Sequence, residues 1–153
     1  MAFSIGFTGA PNQFLHDDPK IPSAIGQIVA GDLNEEFVSS LYEWTKEDYF
    51  DQWTSSLRLF LAGADKATLI TFYVNSKESS NLEWWALYRG EGGIVHVQNH
   101  LPWYENFDRE FSVSEAESFL QDRVTVNEDG NRLLEWDVPI ADIESFMNHF
   151  DKK

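Results

Sequence analysis

The chain has 153 residues and a mass of 17.7 kDa, of which 42% are hydrophobic and 24% charged, a composition that supports a packed core within a single domain spanning 1–153. Lysine and arginine total 11 against 26 aspartate and glutamate, so the formal charge of −15 opposes binding to nucleic-acid phosphates or an anionic membrane and favours a basic partner. The absence of cysteine excludes a disulfide scaffold, a thiolate metal site and a cysteine nucleophile, and the lack of a basic-apolar leader or a long apolar run predicts a soluble cytoplasmic protein.

A short first strand is expected to lead into a loop between Pro11 and Pro22, where three prolines and the acidic pair Asp17-Asp18 disfavour regular structure. Gln27–Ala30 and Glu36–Leu41 are β-compatible runs flanking Gly31-Asp32-Leu33-Asn34, a turn composition, and together predict a hairpin. Thr45 is placed to cap a helix in which Tyr49, Phe50, Trp53, Leu57, Phe60 and Leu61 recur at helical spacing, with Gly63 to end it. Ala67–Val74, Leu82–Arg89 and Ile94–His100 read as an antiparallel meander, and the middle run is apolar on both faces, as a central strand is. Ser112 and Glu115 have capping-box spacing ahead of Ala116, Phe119 and Leu120, predicting a second helix that ends near Arg123. The turn signal Asp129-Gly130 precedes an alternating strand over Arg132–Val138. Pro139 then suits the first turn of a C-terminal helix carrying Ile143, Phe146, Met147 and Phe150. The expected fold class is α+β: antiparallel β-sheet structure with about three packed helices.

Few residues carry catalytic chemistry. His96 and His100 share a strand face, but four residues at about 3.3 Å each place them about 13 Å apart, too far to bind one zinc, so no metal is expected. Ser55-Ser56 and Ser79-Ser80 lack a nucleophile elbow, and Gly90-Glu91-Gly92-Gly93 precedes a strand rather than the helix a phosphate loop needs. No cofactor is implied. Glu105, Asp108 and Glu110 lie among Trp103, Tyr104, Phe107 and Phe111, a mixture that suits either a sugar-hydrolysing cleft or an aromatic contact surface. Trp53, Trp84 and Trp136 fall on periodic faces and are core candidates, whereas Trp103 lies beside Pro102 outside any periodic run.

Several segments, taken in order, resemble the immunity proteins of bacterial contact-dependent growth inhibition (CDI) systems. They are Tyr42-Glu43-Trp44, Lys46-Glu47-Asp48-Tyr49, Trp53-Thr54-Ser55-Ser56-Leu57, Trp85-Ala86-Leu87-Tyr88, Val95-His96-Val97-Gln98-Asn99, Phe119-Leu120-Gln121-Asp122-Arg123 and Glu135-Trp136. The likeness runs from Tyr42 to Ile143 and rests on colinearity, since none of these words is a catalytic signature; residues 1–41 match poorly. It implies a cytoplasmic, non-enzymatic protein that binds and neutralises the cognate CdiA-type C-terminal toxin domain. The toxin implied is a nuclease similar to the ribosomal-RNA-cleaving colicins, and the fold implied is similar to the Whirly single-stranded-DNA-binding proteins.

A nuclease is basic where it holds phosphate, so an acidic inhibitor is steered to it. Composition nominates Trp103, Tyr104, Glu105, Asp108 and Glu110 for the toxin contact, with Asp17, Asp18, Glu78 and Glu91 as further loop acids. The rival readings are a small carbohydrate-active hydrolase using the loop carboxylates and a general acidic protein-binding adaptor.

Overall fold

A computed structural model of the chain describes residues 2–9, 13–17 and 20–151. Its N-terminal part is a four-stranded antiparallel sheet of β1 (Phe3–Phe7), β2 (Gln13–Asp17), β3 (Lys20–Ala30) and β4 (Leu33–Ser40). β3 is long enough to pair with β4 along one side while β1 and β2 divide the other. The expected hairpin is β3–β4, with Ala30 opposite Leu33 and only Gly31 and Asp32 between them. Gly31 takes φ 62, a conformation that costs glycine little. The register also sets Phe7 and Phe37 on either side of Gly26, where a Cβ would lie 2.3 Å from Phe37 Cζ. Glycine is required there by the approach of a ring.

The expected loop from Pro11 to Pro22 is corrected: β2 and the start of β3 occupy much of it. Pro22 fits a strand because it lacks only the donor; its carbonyl still accepts from Leu41 N at 2.8 Å. Pro11, Pro19 and Asp18 lie outside the described residues.

Helix α1 (Lys46–Leu61) begins at the capping box that Thr45 suggested, with Asp48 N donating to Thr45 Oγ1 at 3.1 Å and Thr45 N to Asp48 Oδ2 at 2.9 Å. It stops just before Gly63, whose φ of 125 redirects the chain into the next strand. The apolar stripe Tyr49, Trp53, Leu57 and Phe60 is buried. The second sheet runs β5 (Lys66–Phe72), β6 (Glu83–Arg89), β7 (Ile94–His100), β8 (Trp136–Pro139), all antiparallel, so the expected meander is present and β6 is central with five consecutive buried residues.

β5 would leave its outer backbone groups unpaired, and α1 closes that edge with side chains. Thr68 N donates to Ser56 Oγ (3.2 Å) and Thr68 O accepts from Gln52 Nε2 (2.9 Å). Ile70 N donates to Gln52 Oε1 (2.8 Å) and Ile70 O accepts from the Trp53 indole (2.6 Å). An edge that could template another strand is thereby capped. Tyr49 Oη donates to Ser40 O at 2.7 Å and accepts from Tyr73 N at 3.0 Å, linking the two sheets, and its burial pushes the phenol pKa well above the ordinary value.

Two expected elements differ. Val113–Phe119 is a 3-10 segment kinked at Glu115, and Ser112 caps nothing, its hydroxyl meeting Ser114 Oγ instead. Ala116 and Phe119, three residues apart and both buried, eclipse on one face in that geometry. The expected strand over Arg132–Val138 is split: Arg132 bridges back to Val126, Leu133 N donates to Thr125 O, and only Trp136–Pro139 joins β7. Helix α2 (Ile140–Asp151) follows directly after Pro139, buries Ile143 and Met147, and sets Phe146 against Phe3 (5.4 Å between centroids). No helix among the described residues is long and apolar enough to cross a membrane.

Candidate interaction surface

The segment after β7 is built by its rings. Phe107 stacks on Trp84 (6.1 Å, 14° between planes) and on Phe111 (5.5 Å, 22°), and Phe119 meets Phe107 and Phe111 at 5.0 and 4.9 Å. The Arg109 guanidinium lies over the Phe119 ring at 4.0 Å. Tyr104 points inward: its hydroxyl donates to Val74 O at 2.6 Å, and burial, reinforced by Tyr73, pushes its pKa well above the ordinary phenol value. Backbone bonds from Leu82 N to Pro102 O (3.2 Å) and from Tyr104 N to Ser80 O (3.0 Å) pin the segment to the turn before β6. Against this fixed backbone Trp103 remains 48% exposed, while Trp53 and Trp84 are buried as expected and Trp136 is half-buried against Trp85.

Of the nominated residues, the structure brings together Glu78, Trp103, Tyr104 and Glu105, which line one cleft of about 390 Å³ with Lys77 as its single cation among the described residues. Asp108 and Glu110 are exposed on the same segment, and Asp108 is paired with Arg109 at 3.0 Å. Glu91 is elsewhere. It edges a larger concavity of about 640 Å³ in which the acids Asp65, Asp122 and Asp137 alternate with Lys66, Arg89 and Arg123. Asp17 ends β2 on the other sheet.

Missing from the sequence reading was an arm over residues 121–132, exposed throughout, that turns at Asn127–Asn131. Tyr88 Oη donates to Gln121 O (3.1 Å), Lys66 Nζ to Leu120 O (2.7 Å), and Gln98 Nε2 to Val124 O (2.9 Å), so one limb is tied to the sheet face. The polar composition and the Asp129-Gly130 turn were legible in the sequence, but nothing in it marked Val124 and Val126 as exposed.

A polar relay underlies this arm. Trp84 Nε1 donates to His100 Nδ1 (3.2 Å), leaving the proton on His100 Nε2 to reach Gln98 Oε1 (2.9 Å), and Gln98 Nε2 donates onward to Glu135 Oε2 (2.7 Å). All partners are satisfied only when the imidazole is neutral, since a second proton on Nδ1 would face the indole N–H. Burial accordingly pushes the His100 pKa below its ordinary value. The Arg123 guanidinium binds both oxygens of Glu135 (2.5 and 2.8 Å) and, as the largest influence, holds that carboxyl below the usual range.

His96, Glu135 and Asp137 place three metal-capable atoms within 4.8 Å of one another. His96 and His100 are not a pair, in agreement with their strand spacing: His96 Nδ1 meets Asp137 Oδ1 at 2.7 Å, while His100 belongs to the relay. The three-residue group is already satisfied as an ion-pair cluster, because Arg123 neutralises Glu135 and the imidazole N–H serves Asp137.

The family model for the CdiI N-terminal domain matches residues 39–146, well over half of the chain. The chain belongs to the CdiI family. It is 28% identical over 121 residues to the immunity protein CdiI of Enterobacter cloacae subsp. cloacae, covering 79% of this chain and 82% of that protein. It also shares a fold, at a TM-score of 0.85 and 24% identity over 99% of both chains, with a chain of the CdiA-CT/CdiI toxin and immunity complex from Enterobacter cloacae. The family match begins within β4 and ends in α2, so it takes in the whole second sheet, the aromatic segment and the arm.

Proposed function

We propose that this chain neutralises the C-terminal toxin domain of a CdiA-type effector by binding it, acting in the cytoplasm as one immunity domain over residues 1–153 and catalysing no reaction itself. Membership of the CdiI family carries the reading, and the surface supports it. Trp103 stands exposed on a pinned backbone beside Glu78 and Glu105, the arrangement of an aromatic anchor with an acidic rim that suits a basic partner. The toxin on this reading is a nuclease, in the manner of the ribosomal-RNA-cleaving colicins, since a surface built to hold phosphate is the natural complement to a protein with charge −15. Hydrolysis by the loop carboxylates is disfavoured, because Glu105, Asp108 and Glu110 are all exposed, whereas a carboxylic acid poised to donate a proton is raised in pKa by burial.

The test is growth rescue. The C-terminal domain of the effector encoded beside this gene is induced in cells with and without this chain. Restored growth, together with co-purification of the two proteins, is the expected result. Continued growth arrest in cells that contain the folded chain would overturn the proposal.

A further inference from the structure

Among the described residues, five of the eight exposed large apolar side chains, Leu101, Trp103, Val124, Val126 and Leu134, fall between residues 101 and 134; Val38, Tyr42 and Leu59 lie elsewhere. Leu101, Trp103 and Val124, with Leu133, line one groove of about 480 Å³ between the aromatic segment and the arm, and among the described residues Asp122 is the one charged residue in its wall. Trp103 is shared: one side faces this groove and the other the acidic cleft of Glu78 and Glu105.

Both walls are held before any partner arrives. Pro102 O and Tyr104 N are bonded to the turn before β6, and Gln121 O and Val124 O are bonded to Tyr88 and Gln98 of the sheet. Exposed apolar groups on such a backbone cannot collapse onto the core, and ordering them on binding costs little conformational entropy. Larger though it is, the concavity at Glu91 mixes acids and bases around Tyr88 and Ile94 and offers no single sign of charge.

We infer that this groove, with the acidic cleft across Trp103, is the socket for the toxin: the groove seats an apolar side chain of the toxin, and Glu78 and Glu105 receive adjacent lysine or arginine side chains. The occupant is identified by charge complementarity, since among the described residues the only cation lining either hollow is Lys77. This assignment rests on the toxin-binding reading. It divides the work of the surface: apolar contacts in the groove govern release and carboxylates govern encounter.

The experiment measures association and dissociation rates of the full chain with the C-terminal domain of the effector encoded beside it, over a range of salt, with circular dichroism of each variant. Leu101→Ser and Val124→Ser replace side chains that are each 58% exposed, so their folds should match the parent. Trp103→Ala and Val124→Ser should each speed dissociation about tenfold or more with little change in association. Glu78→Gln with Glu105→Gln should slow association at low salt and flatten its salt dependence. If the parent binds and both serine variants dissociate at the parental rate, the groove is not the socket. If the parent does not bind, the toxin reading fails and the socket with it. A dimer of the parent in sedimentation that Val124→Ser dissolves, with toxin release unchanged, would reassign the groove to a second copy of the chain.

Discussion

Helix α1 with β5 and the stretch from Leu101 to Glu135 use similar side chains to opposite ends. In the first, Tyr49, Trp53 and Phe60 are buried, and the outer groups of Thr68 and Ile70 are all taken by helix side chains. In the second, rings such as Phe107 and Phe111 form a platform from which Leu101, Trp103 and Val124 still project into solvent. Both are rich in contacts, so exposure in the second is not a sign of a loosely held chain. One region turns its polar and apolar groups inward to stabilise the fold, and the other is held rigid so that apolar surface can stay uncovered for a partner.

The sharpest way to break that contrast is to remove a ring from each. Trp53→Ala empties a site with no exposure and deletes the bond to Ile70 O, and should lower unfolding free energy by about 3–5 kcal/mol in urea titration. A much smaller loss would mean that α1 does not carry the sheet edge. Gly26→Ala drives a methyl into the Phe37 ring, for an expected loss of about 1–3 kcal/mol by the same measurement. Unchanged stability there would show that the ring moves freely aside. Gln52→Ala frees Thr68 O and Ile70 N together and should cost about 1–3 kcal/mol, with increased self-association in sedimentation as the β5 edge opens. A monomer of parental stability would refute the capping role.

Acid should act on the relay beneath the arm. His100 has a lowered pKa in the fold, so below the ordinary value of 6.5 the unfolded chain binds more protons than the native one. Stability from this source is complete above about pH 6.5 and falls as the pH drops through the native value. Glu135 contributes a second loss of the same sign below its ordinary 4.5, where protonation releases Arg123. Melts across this range should show the upper slope in the parent but not in His100→Gln; a slope that survives the substitution belongs to other groups. At the far end, Leu134→Ser alters a side chain that is 77% exposed and should shift stability by no more than about 0.5 kcal/mol. A larger change would mean that Leu134 is packed in the native state.

The amino-acid sequence by itself determined the elements whose cause is local. Thr45 and Asp48 start a helix through their own side chains, and apolar residues on both faces place β6 in the middle of a sheet. The acidic balance and Trp103 as the exposed tryptophan were equally legible, because charge is additive and because Trp103 is outside every periodic run. The tertiary structure decided what depended on partners distant in the chain. Pro22 became strand because Leu41, just past β4, could use its carbonyl, and the Val113–Phe119 turn tightened to 3-10 over the sheet face instead of extending as the helix its spacing suggested. Likewise, Arg132 and Leu133 folded back on the arm, so that a strand-like sequence left Val124 exposed. Glu78 and Glu105 were brought to one cleft, and Glu91 to another, by the meander that joins the turn before β6 to the end of β7. Spacing along a chain reports which neighbours share a face, but only the packed sheets and helices settle which faces are covered.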